Sequence, residues 1–158
     1  MTVRPALALA ALVLAFVLGA IVPERAGGAG SVTIQLTQIR ASERGSGAKD
    51  IDQKLEDLRR QLENFPYRVF RRVGLEAKTV ADGTEASFAL HEGGFKLTVR
   101  PSEGGGGFVL LDLAIRTGEG REVMSTRLKL KDGGTALLAK QLEVGNGVLL
   151  LAFTVRRA

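Results

Sequence analysis

The 158-residue chain has no cysteine, no tryptophan and a single histidine. Without cysteine it can form no disulfide, thiolate zinc site, iron–sulfur cluster or thiol nucleophile, and it has no N-terminal cysteine to carry a lipid. One imidazole, His91, excludes every site that needs two, the HExxH zinc helix among them. A Gly-x-Ser-x-Gly elbow is also missing, and only six serines occur. No cofactor and no metal is expected.

What is plentiful is glycine, at 20 residues or about 13%, nearly twice the usual ~7%. With 45% hydrophobic and 25% charged residues the composition is otherwise that of a globular protein. The 17 residues from Ala6 to Val22 are uninterruptedly apolar and follow Arg4. As a helix they would rise about 25 Å, between the apolar region of a signal peptide and a ~30 Å membrane span. Leu18-Gly19-Ala20 and Gly27-Gly28-Ala29 each end in a small residue suited to cleavage. Residues 1–26 are therefore expected to be a signal peptide or membrane anchor, 27–30 a glycine-rich linker, and 31–158 a single β-rich domain. The domain is expected in the periplasm or elsewhere outside the cytoplasm, held at the inner membrane by residues 4–22 if they are not removed.

The net charge is +5; with Arg4, Arg25 and Glu24 set aside, 20 basic and 16 acidic residues remain from Ser31 onward. For an exported chain this balance points to anionic envelope polymers or lipid head groups rather than nucleic acid, and a modest positive charge also serves solubility.

Val32, Ile34 and Leu36 alternate with polar residues, the pattern of a half-buried strand, and Ala41 to Lys49 reads as a polar loop. Ile51, Leu55, Leu58, Leu62 and Phe65 then recur at spacings of 4, 3, 4 and 3, which predicts an amphipathic helix over about 50–64. Asp50 is its expected N-cap, and Pro66 stops it. That apolar face is expected to cover a sheet, or alternatively to meet a partner helix.

From Tyr67 onward, short apolar runs alternate with turns at Asp82-Gly83, Gly93-Gly94, Gly104–Gly107, Gly118–Gly120, Asp132–Gly134 and Gly145–Gly147. The expected fold is α+β and mainly β: an antiparallel sandwich or curled sheet of about eight strands, with one helix after the first strand. The runs 108–115 and 148–155 are apolar on both faces and should be covered on two sides.

Candidate chemistry is sparse. Gly104–Gly107 leads into Phe108-Val109-Leu110 rather than a helix, so it reads as a hairpin tip and not a phosphate loop. His91 lies at a strand end before Gly93-Gly94 and reads as a solvent-facing turn residue. Asp112 interrupts an apolar strand and should face outward, leaving Leu111 and Leu113 to the core. The segment Phe65-Pro-Tyr-Arg-Val-Phe-Arg-Arg offers Arg68, Phe70, Arg71 and Arg72 as a candidate surface for anionic glycans or lipid head groups, or as a charge-protected edge.

Leu128-Lys-Leu-Lys-Asp-Gly-Gly-Thr-Ala-Leu-Leu-Ala followed by Gly147–Val155 resembles small exported bacterial β-rich proteins of an uncharacterised family. Its strand, Asp-Gly-x-Thr, apolar strand order is similar to a segment of the secretin domain of outer-membrane channels. Ala139-Lys140 departs from that pattern, and no barrel strands precede it; the resemblance implies envelope assembly and no functional residue. The expected function is thus a non-enzymatic exported domain acting in protein–protein binding or assembly. Binding of an anionic glycan or lipid through the arginine strand is the alternative, and a carboxylate-based hydrolase is third.

Overall fold

The computed structural model describes residues 30–138, 142–145 and 147–158. The expected leader and most of the linker lie outside these, and no helix among the described residues is long and apolar enough to cross a membrane.

The chain is mainly β. In order it forms β1 (Ser31–Arg44), β2 (Asp50–Ile51), a 3-10 turn (Gln53–Leu58), α1 (Arg59–Leu62), β3 (Tyr67–Ala81), β4 (Ala86–Ala89) and β5 (Lys96–Glu103). Then follow β6 (Phe108–Arg116), β7 (Glu122–Lys131), β8 (Thr135–Leu137), β9 (Leu142–Val144) and β10 (Gly147–Arg157). Ten strands among the described residues exceed the expected eight, because the two-residue β2 and the three-residue β9 are too short to show a period. Sheet A has the order β2-β3-β1-β10-β8, with β9 also on β10; sheet B is β4-β5-β6-β7. All pairings are antiparallel except β2 with β3. All six glycine turns contain a glycine at positive φ, the geometry that tight hairpins require.

Alternation places two cores on opposite faces of sheet A. Val32, Ile34 and Leu36 of β1 and Leu149, Leu151, Phe153 and Val155 of β10 meet Leu97, Val99, Val109, Leu111, Leu113 and Ile115 of sheet B. The other face of the same strands, Ile39, Ala41, Val148, Leu150 and Ala152, meets Leu55, Leu58, Leu62, Tyr67 and Phe70. Each fully buried Val, Leu, Ile or Phe side chain among these contributes roughly 1.5–3 kcal/mol.

This second core explains three departures from the sequence reading. The expected loop from Ala41 does not begin there: Ala41 is buried in the second core, and β1 continues to Arg44 by pairing Ser42 with Val69 and Arg44 with Tyr67 of β3. The helix expected over 50–64 is shorter and starts later. Asp50 and Ile51 pair with Val69 and Phe70, so Asp52 becomes the cap, its Oδ1 accepting from Lys54 N at 3.1 Å. Leu55 at φ −108°, ψ 15° kinks the 3-10 turn itself. Finally, β10 is buried on both faces as expected, whereas β6 is buried on one only; Phe108, Leu110, Asp112 and Ala114 stay partly exposed.

The two sheets are stitched at the β4 edge. Gln38, buried on β1, donates from Nε2 to Ala89 O at 3.3 Å and accepts from His91 N at 2.7 Å. Lys78 of β3 donates to Ser87 O and lies 4.8 Å from the Phe88 ring centre. Carbonyls of an edge strand, ready templates for another chain, are thereby occupied from within.

Candidate functional site

The second core covers only half of the outer face of sheet A. Reading across β3, β1 and β10, the covered rows are Phe70–Ala41–Val148 and Arg72–Ile39–Leu150. At the margin lies Leu75–Thr37–Ala152, where Ala152 still belongs to the second core and Thr37 is buried, and beyond it are Ala77–Gln35–Thr154 and Thr79–Thr33–Arg156. Toward the uncovered rows threonine and glutamine replace the aliphatic residues of β1, as the loss of apolar cover favours.

The uncovered rows form a trough of about 500 Å³. Thr33, Gln35, Thr37, Thr135 and Thr154 make its floor, Lys54, Asp57 and Leu58 wall one end, and Arg72, Leu75 and Arg156 project at its margins. Paired hydroxyls brace the floor: Thr33 Oγ1 lies 2.9 Å from Thr79 Oγ1, and Thr135 Oγ1 lies 2.7 Å from Thr154 Oγ1. Among the described residues neither Arg72 nor Arg156 has a carboxylate within ion-pair distance. Leu75, 49% exposed, is the one large exposed hydrophobic side chain among the described residues.

Comparison with known proteins finds no matching family model, no similar curated protein and no similar solved structure.

The four residues singled out on the arginine strand do not form one site. Phe70 is fully buried, with Lys49 Nζ 5.5 Å from its ring centre. Arg71 is held by Asp50, and its hydrogen bonds keep the Asp50 carboxyl below the usual carboxylate range. The stem of Arg68 lies over the loop at Gly45. Only Arg72 reaches the trough. Sequence alone did not join it to Arg156 and Lys54, because these three come from separate segments and meet only through sheet register.

Ile51, Leu55, Leu58 and Leu62 all lie in the second core, and Phe65 packs on its margin. His91 is exposed, its ring lying against Gly74. Asp112 faces outward and takes 2.6 and 3.3 Å hydrogen bonds from Arg127, which lower its pKa. No three His, Asp or Glu side chains among the described residues converge as a metal site.

Proposed function

We propose that this chain is a non-enzymatic, extracytoplasmic binding domain whose trough on sheet A receives an extended acidic segment of a protein partner. The observation that carries the reading is the juxtaposition of unpaired cations, Arg72 and Arg156, with exposed Leu75 over a floor of hydroxyl and amide groups. Carboxylates answer the arginines, the partner backbone answers the threonines and Gln35, and an apolar side chain answers Leu75. An anionic glycan would satisfy the first two but leave Leu75 unused, so it stands second. The extracytoplasmic placement is supported by the apolar run from Ala6 to Val22.

A photocrosslinking residue in place of Gln35, in cells fractionated after irradiation, tests this. A protease-sensitive adduct in the envelope fraction is expected, and it should vanish when Arg72→Glu and Arg156→Glu are combined. A protease-resistant, glycosidase-sensitive adduct would transfer the trough to the glycan reading. An adduct indifferent to both substitutions, or no adduct, refutes a role for the trough in binding.

A further inference from the structure

The opposite side of the sandwich is also open. On the outer face of sheet B, register aligns Lys96 with Arg116, Arg100 with Asp112 and Arg127, Ser102 with Leu110 and Lys129, and Phe108 with Lys131. Six cations thus share one face. The acids near them are Asp112, engaged by Arg127; Glu85, 3.6 Å from Arg100; Glu122, opposite Arg116; and Glu103 at the β5 end. Lys96, Arg116, Lys129 and Lys131 have no ion pair among the described residues. Lys129 Nζ lies 4.6 Å from the ring centre of Phe108, which with Leu110 is only partly buried, so apolar and basic side chains are interleaved at one end of the face.

That end is also where the chain enters the domain. Gly30 O accepts from Asp82 N, and the Asp82 carboxylate pairs with Arg157 at 3.0 Å. Arg157 N donates to Asp132 Oδ1, and Asp132 N donates to Gly107 O, beside Phe108. In sequence, Gly30 follows the end of the apolar run, Val22, by eight residues, a reach of at most about 28 Å.

We propose that the outer face of sheet B docks on an anionic lipid bilayer, with Lys129 and Lys131 at head-group level and Phe108 and Leu110 toward the acyl boundary. A basic face carrying partly exposed apolar groups suits such a surface, since electrostatic attraction and apolar burial act together there. A soluble polyanion would use only the charge. With sheet B on the membrane, the sheet A trough faces away from it and stays open.

Because the chain lacks cysteine, Ser102→Cys and Gln35→Cys each give a single labelling point, the first on this face and the second in the trough. Each full-length labelled protein is reconstituted into vesicles of zwitterionic lipid alone or containing phosphatidylglycerol, and the label is quenched with neutral acrylamide. The label at residue 102 should be protected only with phosphatidylglycerol, and protection should disappear at about 1 M salt, where the screening length is ~3 Å. Lys129→Glu with Lys131→Glu should also abolish it, since each lysine lost weakens docking about fivefold. The salt comparison needs no substitution and so holds even if that variant folds poorly. Three results would overturn the proposal: equal quenching at residue 102 in both vesicles, equal protection at residue 35, or full protection by inorganic polyphosphate in zwitterionic vesicles. Arg72→Glu with Arg156→Glu should leave protection at residue 102 unchanged, which separates failure here from failure of the trough reading.

Discussion

Replacing Gln38 with methionine tests whether the two sheets are joined by polar stitches or only by their common core. The side chain is 2% exposed and makes two hydrogen bonds to the β4 edge, to Ala89 O and from His91 N. Methionine keeps nearly the same volume, so no cavity term is added, and what is lost is the pairing of one carbonyl and one amide. A buried group left unmade costs about 1–3 kcal/mol. Ala89 and His91 are exposed residues whose freed backbone groups can partly rehydrate. The lower end applies to each, giving about 2 kcal/mol, from which the more favourable burial of a thioether removes roughly 0.5–1. The net expectation for Gln38→Met is a loss of about 1–1.5 kcal/mol, with Gln38→Ala costing roughly 1–2 more through its cavity.

Urea unfolding followed by far-ultraviolet circular dichroism reads this as a lower midpoint at unchanged slope. A methionine variant within about 0.3 kcal/mol of the unmodified protein would refute the stitch, because surface-like substitutions fall in that range. Combining Gln38→Met with Lys78→Met also releases the side-chain bond to Ser87 O. If the stitches guard the β4 edge, that pair should self-associate in size-exclusion chromatography at concentrations where each single variant stays monodisperse.

Glycine substitutions and acid titration probe the same architecture. A Cβ on Gly147 would sit 2.4 Å from Ala41 O, a backbone atom fixed in the β1–β10 ladder, whereas one on Gly74 would meet the movable ring of exposed His91 at 2.5 Å. Gly147→Ala should therefore cost about 1–3 kcal/mol and Gly74→Ala well under half as much, and thermal melts showing the reverse order would contradict the packing described. For pH, Arg71 and Arg127 hydrogen bonds lower the pKa values of Asp50 and Asp112 below their unfolded value of ~3.9. Their stabilisation is complete above that value and is lost as pH falls through the folded pKa values. The melting-temperature gap between the unmodified protein and Asp112→Asn should thus stay level from pH 7 to about 5 and narrow only as the pH falls below ~3.9, and a gap that narrows already between pH 7 and 5 would refute the pairing as its cause.

Period-two patterning and glycine turns made most of the strands legible before any coordinates, because a hairpin's requirements are local: Phe95-Lys-Leu-Thr-Val needs only its own alternation and Gly93-Gly94 beside it. The 50–65 segment shows where this fails. Ile51 and Leu55 both enter the second core, so their spacing matches a helix although Ile51 belongs to a strand; burial periodicity cannot separate the two when one core receives both. Asp52 outcompetes Asp50 as cap because pairing with Val69 holds Asp50 in extended backbone. The placement of the arginine strand's side chains has a related cause. Which of these side chains is covered depends on Leu55, Leu58 and Leu62, 8 to 15 residues before Phe70, and that cover buries Phe70 while leaving Arg72 at its margin.

The partial cover is also what leaves the trough on sheet A open. A two-layer sandwich whose sheet A were covered end to end would present no trough; one left uncovered would have to be polar along all of β1 and β10, forfeiting Ile39, Ala41, Val148 and Leu150. With the helical segment ending at Leu62, the first rows of the outer face must tolerate water, and threonine does so while keeping the β-branched shape that strands favour. The floor is then rigid, held by the ladders of β3, β1 and β10, and only the rim side chains Lys54, Arg72 and Arg156 need to be ordered when a ligand arrives. Ordering each such long side chain costs about 0.5–1.5 kcal/mol, so three rim cations cost a few kcal/mol, within reach of what charge-assisted hydrogen bonds of roughly 1.5–3 kcal/mol each return. The binding proposed for the trough therefore requires no movement of the sandwich itself.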